Sequence, residues 1–367
     1  MLLIARRNLF QEKGRLFISV GGVAFSVLLI MILQGLYQGW SNKIGEYISN
    51  VPANLWVMQA GSENMFHTPS VLPLSDSAKI AAVEGVASVE PFSSRRLAAQ
   101  VNGKTLDLYV VGYDSVSDAS RPASIAEGKS LPGAGEIIID RSQSKKIKFG
   151  DTVGTAGQQL KVVGFSEGGD IVTSSFAFAR KDELNKIQNL PASANYFLVN
   201  VKPGFDNDQV IGNIKAAVAG IDVVESQKFV ENNTKIISDS FLPVILVLLI
   251  IGVAVGIAVI GLTIFTSTVE KSKEYGVLKA VGIKDRQLYG IVEQQALIAG
   301  VAGYLIGTGL AFGLGATVSQ YVPQFVSRIR LFDVLWVFLL TIAMAVIASY
   351  IPIRRIAKID PAEAFKA

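Results

Sequence analysis

The densest group of reactive side chains in the sequence lies at residues 269–295, VEKSKEYGVLKAVGIKDRQLYGIVEQQ. Glu270, Lys271, Lys273 and Glu274 open it, and Lys284, Asp285 and Arg286 follow Gly282. Such a set makes ion pairs and docking contacts. It does not resemble machinery for breaking bonds. The chain has no G-x-x-x-x-G-K-[ST] phosphate loop, no H-E-x-x-H and no dinucleotide fingerprint. It has no cysteine and one histidine, His67, so disulfides, thiolate metal sites and multi-histidine centres are excluded. The expectation is a non-enzyme with no cofactor or metal of its own. His67, in the stretch 61–73, reads as a surface or packing residue.

Apolar sequence on either side must position this segment. Half of the 367 residues are hydrophobic and 17% are charged, with a mean hydropathy of +0.42. Ordinary soluble domains carry about a quarter charged residues. Residues 16–36 hold no charge, and at about 1.5 Å per residue they cover a hydrocarbon core of about 30 Å. The run exceeds the roughly 7–15 residues of a signal-peptide core and lacks a small-residue cleavage end, so it reads as an uncleaved span. Residues 241–268, 291–318 and 331–351 supply three more spans. Pro243 is expected near the outer end of the second, where its missing N–H costs little. Residues 1–15, with Arg6, Arg7, Lys13 and Arg15 among apolar side chains, read as a basic amphipathic helix on the inner membrane face.

Residues 41–240 are different. They carry 19 Lys and Arg against 22 Asp and Glu, a net −3, which leaves +7 for the rest of a +4 chain. Basic residues concentrate on the cytoplasmic side of a membrane protein. The N-terminal segment, residues 269–295 and the tail with Arg354, Arg355, Lys358 and Lys366 are therefore expected inside, and residues 41–240 outside. Alternating patterns predict strands over 54–59, 86–90, 97–101, 106–111, 136–139, 152–153, 160–165 and 196–201. Asn102-Gly103 reads as a hairpin turn. Helices are expected over 75–84, capped by Ser75 or Asp76, and over 207–219. The fold class is a membrane protein of four transmembrane α-helices, with a large α+β extracytoplasmic domain between the first and second. The segments are 1–40, 41–240 and 241–367, and the middle one suits one core or two subdomains.

Polar groups at membrane depth are few: Gln34, Thr263, Thr266, Ser267, Glu293, Gln294 and Gln295. With no charge at mid-membrane, an ion-coupled transporter or water-filled pore is disfavoured. Gly252-x-x-x-Gly256, Gly303-x-x-x-Gly307 and Gly309-x-x-x-Gly313 serve helix packing, within one chain or at a dimer seam. In the charged segment, Val277, Leu278 and Val281 form an apolar stripe and Gly282 is placed as a helix C-cap. The segment reads as helix, glycine break, helix at the inner face, and the bland alternative is an elbow that only anchors the spans.

Glu270, Lys273, Glu274, Gly276, Leu278, Lys279, Ala280, Gly282, Gln287 and Glu293 resemble the E-x-x-R-E-[IL]-G-[IV]-L-[RK]-A-[LI]-G…E signature of FtsX-like permeases, the membrane subunits of MacB-type ABC transporters. Lys273 stands for the usual arginine and Tyr275 for an aliphatic residue. The tail Pro352, Arg354, Ile359, Asp360, Pro361, Glu363, Ala364 resembles that family's closing motif, with Phe365 for leucine. Runs at 74–86 and 136–153 resemble its periplasmic core domain. The pattern is similar to the stand-alone permeases, HrtB- and DevC-like.

The resemblance implies an exporter working by mechanotransmission, as a homodimer on a separate cytoplasmic ABC ATPase that binds ATP and Mg. It implies ATPase coupling by Glu270, Lys273, Glu274, Gly276, Leu278, Lys279, Ala280 and Gly282. It also implies an amphiphilic substrate (heme, lipid, peptide or drug) near Met31, Gln34, Tyr37 and Gln38. The implied setting is the plasma or inner membrane, with lipid and no nucleic acid as partner and both termini cytoplasmic. The alternative is an FtsX-like signalling subunit that activates an extracellular cell-wall hydrolase.

Overall fold

The computed structural model describes residues 13–66, 68, 70–155, 157–171, 174–188, 192–322 and 325–357. The basic segment before residue 13, His67 and the closing motif from residue 359 onward lie outside the described residues. The chain forms two compact units, Gly39–Ser240 and the combination of Met1–Gln38 with Phe241–Ala367.

Four helices among the described residues are long and apolar enough to cross a membrane. They are α1 (Lys13–Ser49), the long helix Ser226–Glu270, Asp285–Ser319 within a helix that continues to Tyr321, and Leu331–Ala357. Their shared core includes Val23, Val27, Ile30 and Met31 of α1, Ile260, Ile264, Ile291 and Val292, and Val337 and Ala345. The first two helices have 37 and 45 residues, about 55 and 68 Å at 1.5 Å per residue, well beyond one hydrocarbon core. Pro243 consequently lies inside a helix and not near its start. The expected tolerance at a helix end does not apply, because Pro243 has no N–H to close the i−4 bond of an interior turn.

The unit Gly39–Ser240 contains, in chain order, β1 (Leu55–Gln59), β2 (Leu72–Pro73), α2 (Ser75–Ala81), β3 (Val86–Val101), β4 (Lys104–Gly112), β5 (Ser124–Gly128), β6 (Glu136–Asp140), β7 (Thr152–Thr155) and β8 (Gln158–Glu167). Then come β9 (Asp170–Ile171), β10 (Ser174–Ala179), α3 (Lys181–Gln188), β11 (Ser193–Ala194), β12 (Tyr196–Val201), α4 (Asn207–Ala217) and β13 (Ile221–Glu225). The next helices are α5 (Ser226–Glu270), α6 (Ser272–Ala280), α7 (Asp285–Tyr321) and α8 (Leu331–Ala357). The main sheet runs β13-β1-β12-β3-β4-β10-β6-β8-β5 among the described residues.

Strand β3 organises this unit. Its first half pairs with β12, from Val86 to Phe92, and its second half with β4, from Ser93 to Val101. Two hydrophobic cores result. Leu55, Val57, Ile80, Phe197, Val210 and Ile214 form one, and Val110, Ile137, Ile139, Leu160, Val162 and Ala177 form the other. The strands expected over 86–90 and 97–101 are thus one strand. Asn102 (φ 50°) and Gly103 (φ 75°) make the expected tight turn between β3 and β4. The cap expected at Ser75 or Asp76 does not form. Leu74 is the N-cap residue without a side-chain bond, and Asp76 is buried and paired with Lys79 at 2.7 Å.

Aromatic rings fill the space beside β1, β3 and β10. Trp56 is fully buried and stacks on Phe229 at 4.5 Å, and Tyr47 lies 4.2 Å from Phe176. Tyr47 belongs to α1 and Phe229 to α5, so the C-terminal turns of the first and the N-terminal turns of the second are part of this unit's core. Tyr47 Oη donates to the Ser120 carbonyl at 2.7 Å, and Asn233 Oδ1 accepts the Met65 N–H at 2.8 Å.

Candidate functional site

The charged segment folds as a short helix between two membrane-length ones. Helix α5 ends at Glu270, Lys271 interrupts, and α6 begins at Ser272. Its end is a Schellman cap. The Ile283 N–H donates to the Leu278 carbonyl at 3.0 Å and the Gly282 N–H to the Lys279 carbonyl at 3.0 Å. Gly282 has φ +98°, a conformation that costs a residue with a Cβ about 1 kcal/mol or more. Helix α7 starts directly afterwards, and Gln287 Oε1 accepts the Lys284 N–H at 3.3 Å, half of a capping box. This is the helix, glycine break, helix read from the residues.

The two faces of α6 differ. Tyr275 is 3% exposed and packs with Leu288, Ile291 and Val292, while Leu278 and Ile283 pack partly buried on the same core. Gly276 is buried. Lys273, Glu274, Val277, Ala280 and Val281 face outward, Val281 being 78% exposed. The apolar stripe expected at Val277, Leu278 and Val281 is therefore split. Leu278 points to the core, and the two valines form a small apolar surface beside Lys273 and Glu274.

Lys279 joins three elements. Its Nζ donates to the Ile356 and Ala357 carbonyls at 3.1 and 3.3 Å and lies 3.0 Å from Asp285 Oδ1, with the side chain only 12% exposed. A cation on the last carbonyls of α8 also meets the negative end of that helix. Glu270 is ion-paired with Arg15, at the start of α1. The structure thus gathers Glu270, Lys273, Glu274, Gly276, Leu278, Lys279, Ala280 and Gly282 in one elbow, with separate roles. Gly276, Leu278, Lys279 and Gly282 shape and fasten it, and Lys273, Glu274 and Ala280 are available on its surface. Arg15, Tyr275, Ile283 and Asp285 belong to it as well. Asp285 was marked by its charged neighbours and Tyr275 by its place in the signature; the Arg15 pairing spans 255 positions and has no local signal.

Of the four residues expected near a substrate, one is closed off and three are partly exposed. Met31 is 0% exposed inside the helix core. Gln34 Nε2 donates to Asp333 Oδ1 at 3.1 Å, and Arg330 holds the other carboxylate oxygen through its N–H at 2.9 Å. Tyr37 and Gln38 are half-buried. Asp333, in the first turn of α8 with its side chain 1% exposed, corrects the inventory of polar groups. The Arg330–Asp333 spacing in the sequence was its signal. It sits at a helix end, where Gln34 and Arg330 satisfy it.

The glycine patterns separate too. A Cβ at Gly307 would lie 2.9 Å from Val27 Cβ, and one at Gly303 would meet Val23, so this pair packs α7 on α1. Gly256 faces Ser26 and Met344. A Cβ at Gly309 or Gly313 would meet nothing within 4 Å.

Residues 164–168 read G-F-S-E-G, the spacing of a serine nucleophile elbow, so the chain is not free of catalytic-type patterns. The structure removes this one. Ser166 is 0% exposed within strand β8, not on an exposed strand-to-helix turn.

Residues 16–217 match the family model described as MacB-like periplasmic core domain, and residues 246–361 that described as FtsX-like permease C-terminal. An uncharacterized ABC transporter permease of Mycobacterium tuberculosis (strain ATCC 25618 / H37Rv) is 22% identical over 100% of this chain and 99% of its own. The putative hemin transport system permease protein HrtB of Staphylococcus haemolyticus is 22% identical over 92% of this chain and 91% of its own. The macrolide export ATP-binding/permease protein MacB of Vibrio parahaemolyticus is 22% identical over 99% of this chain and 59% of its own.

Proposed function

Because the chain belongs to the MacB/FtsX family of ABC transporter permeases, a multi-pass membrane protein with a MacB-like periplasmic core domain, we propose that it is the membrane subunit of an ATP-driven exporter that receives its stroke at α6. The observation that carries this is the two-sided elbow. An exposed face of Lys273, Glu274, Val277 and Val281 is mounted on a helix fastened by Tyr275, Leu278 and Lys279. Such a face suits docking by a partner, because its contacts can be made without loosening the core.

ATP and Mg are bound by a cytoplasmic ABC ATPase, in this reading a separate subunit, in keeping with the relatives named as permeases that match over nearly their whole length. Residues 269–295 and both termini face the cytoplasm, in keeping with the +7 charge outside residues 41–240. The working unit is a homodimer on two ATPases, in a plasma or inner membrane. Closure of the ATPases displaces α6, and α5, one residue away in the chain, takes up the displacement along its 45 residues. The substrate is amphiphilic, in keeping with relatives named for hemin and macrolide. Its contacts on α1 reduce to Tyr37 and Gln38, since Met31 and Gln34 have packing and hydrogen-bonding duties.

Co-purification of the full chain with its ATPase tests this. Val281→Asp and Glu274→Lys should each lower ATPase capture and drug- or heme-dependent efflux from vesicles at least tenfold, with the melting temperature of the permease unchanged. Wild-type capture and efflux in both variants would remove the docking role. Coupled ATP hydrolysis without any efflux would favour the signalling alternative. Leu278→Glu is unsuitable as a coupling test, because it puts a charge into the packed side of the elbow.

A further inference from the structure

The two helices that end nearest the elbow leave an open apolar groove between them. It holds about 450 Å³ and is lined by Ala258, Gly261 and Leu262 of α5 and by Ile347, Tyr350 and Ile351 of α8. The size is within the range of small-ligand clefts, about 300–1,000 Å³. Gly261 and Ala258 create the depth by withholding side chains where α5 passes Ala348. Leu262 is 67% exposed, Ile347 57% and Ile351 65%, so the groove opens sideways from the helix bundle.

The end of the groove is charged. Arg354 follows Ile347, Tyr350 and Ile351 at helical spacing on α8, and its guanidinium lies 4.5 Å from the Tyr350 ring. Arg355 follows Ile351 by four residues. Both arginines are exposed, and among the described residues neither has a carboxylate partner. An apolar slot that terminates in two guanidinium groups, neither paired with a carboxylate among the described residues, has the polarity of a phospholipid with a net negative headgroup: acyl chain along the slot, phosphate on the arginines. Basic pockets between membrane helices on the cytoplasmic side bind anionic headgroups in this way.

We propose that this groove between α5 and α8 is a binding site for one anionic phospholipid. Its location in the cytoplasmic leaflet rests on the orientation proposed above, whereas the site itself rests only on the groove and its arginines. An acyl chain there lies against the part of α5 that leads into α6, so bound lipid and elbow share one helix segment.

Native mass spectrometry of the purified full chain, offered phosphatidylglycerol and phosphatidylcholine with identical acyl chains, tests the site without any ATPase or transport step. The wild type should retain one phosphatidylglycerol per chain with at least a tenfold preference. Arg354→Gln with Arg355→Gln should abolish the preference and leave residual binding of both lipids. Ala258→Trp, a change at an exposed position that fills the slot, should abolish retention of either. Equal retention of the two lipids by the wild type, or undiminished retention in Ala258→Trp, would overturn the proposal. So would a lipid-free wild-type dimer that Ala258→Trp converts to monomer, which would assign the face to a second copy. Failure of ATPase capture in the separate coupling experiment would leave this result unaffected.

Discussion

Asp170 is a carboxylate in an uncomfortable place. It is 8% exposed, and Asp140 beside it is committed to the N–H groups of Ser142 at 2.9 Å and Gly169 at 2.7 Å. Burial, then the charge of Asp140, pushes the Asp170 carboxyl up to about 6; Lys43 and Lys146 oppose this and Glu46 adds to it. A folded-state value above the unfolded one means that the native protein binds this proton more tightly. Stability from this group therefore grows as pH falls from about 6 towards 4, and the charged form is a burden above 6. Asp170→Asn should stabilise the protein at pH 7.5 by about 1–2 kcal/mol, allowing for partial solvent access, and the gain should shrink towards pH 4.5. Melting curves of the detergent-solubilised wild type and variant across that range measure it; a gap that does not vary with pH would contradict the assignment. Residues differ in how far they could be read beforehand. Gly282 was legible as a C-cap, because only a positive φ ends the helix there. Leu278 and Val281 were not separable, because three residues of a stripe do not reveal which side the core lies on. Asp170 carried no signal, because the charged groups around it, Lys43, Glu46, Asp140 and Lys146, are distant in the chain.

At the scale of elements, glycine spacing is informative only once the neighbour is known. Gly303 and Gly307 let α1 approach α7, whereas Gly309 and Gly313, with the same spacing two residues further on, face open space. Gly307→Leu should cost about 3 kcal/mol through overpacking against Val27, and Gly313→Leu less than about 0.5 kcal/mol in the monomer. Thermal unfolding distinguishes them, and similar losses for both would mean that Gly313 is also covered. The four spans were readable because twenty apolar residues in a row have few alternatives. Their true lengths were not. The outer turns of α1 and α5 are polar on one side and bury Tyr47 and Phe229 in a soluble-type core, so hydropathy ends before the helix does. Strand β10, SSFAFA, is buried along its whole length and shows no clean alternation, so it was not anticipated. The union of two expected strands into β3 escaped because Pro91 and the serines after it resemble a break.

For the whole molecule, the absence of cysteine is an experimental convenience. Single cysteines can be introduced without background. A membrane-impermeant maleimide added to intact cells should label Lys104→Cys at the exposed start of β4. It should reach Lys284→Cys only after permeabilisation, if the +7 side is cytoplasmic. Labelling in the reverse order would invert the orientation. The family and the α+β domain were legible in motifs and order of segments. The two-core construction of that domain was not, because it depends on one strand pairing with different partners along its length. The clamp at Lys279 has a mechanical consequence. A helix tethered at one end only is a lever that spends its travel in bending. Because one ammonium group ties α6 to the last carbonyls of α8 and to the first turn of α7, the elbow is a yoke. A load on its outer face is divided over three helices at once, and replacing Lys279, whose side chain is only 12% exposed, would turn a stiff linkage into a compliant one while leaving the exposed face of α6 unchanged.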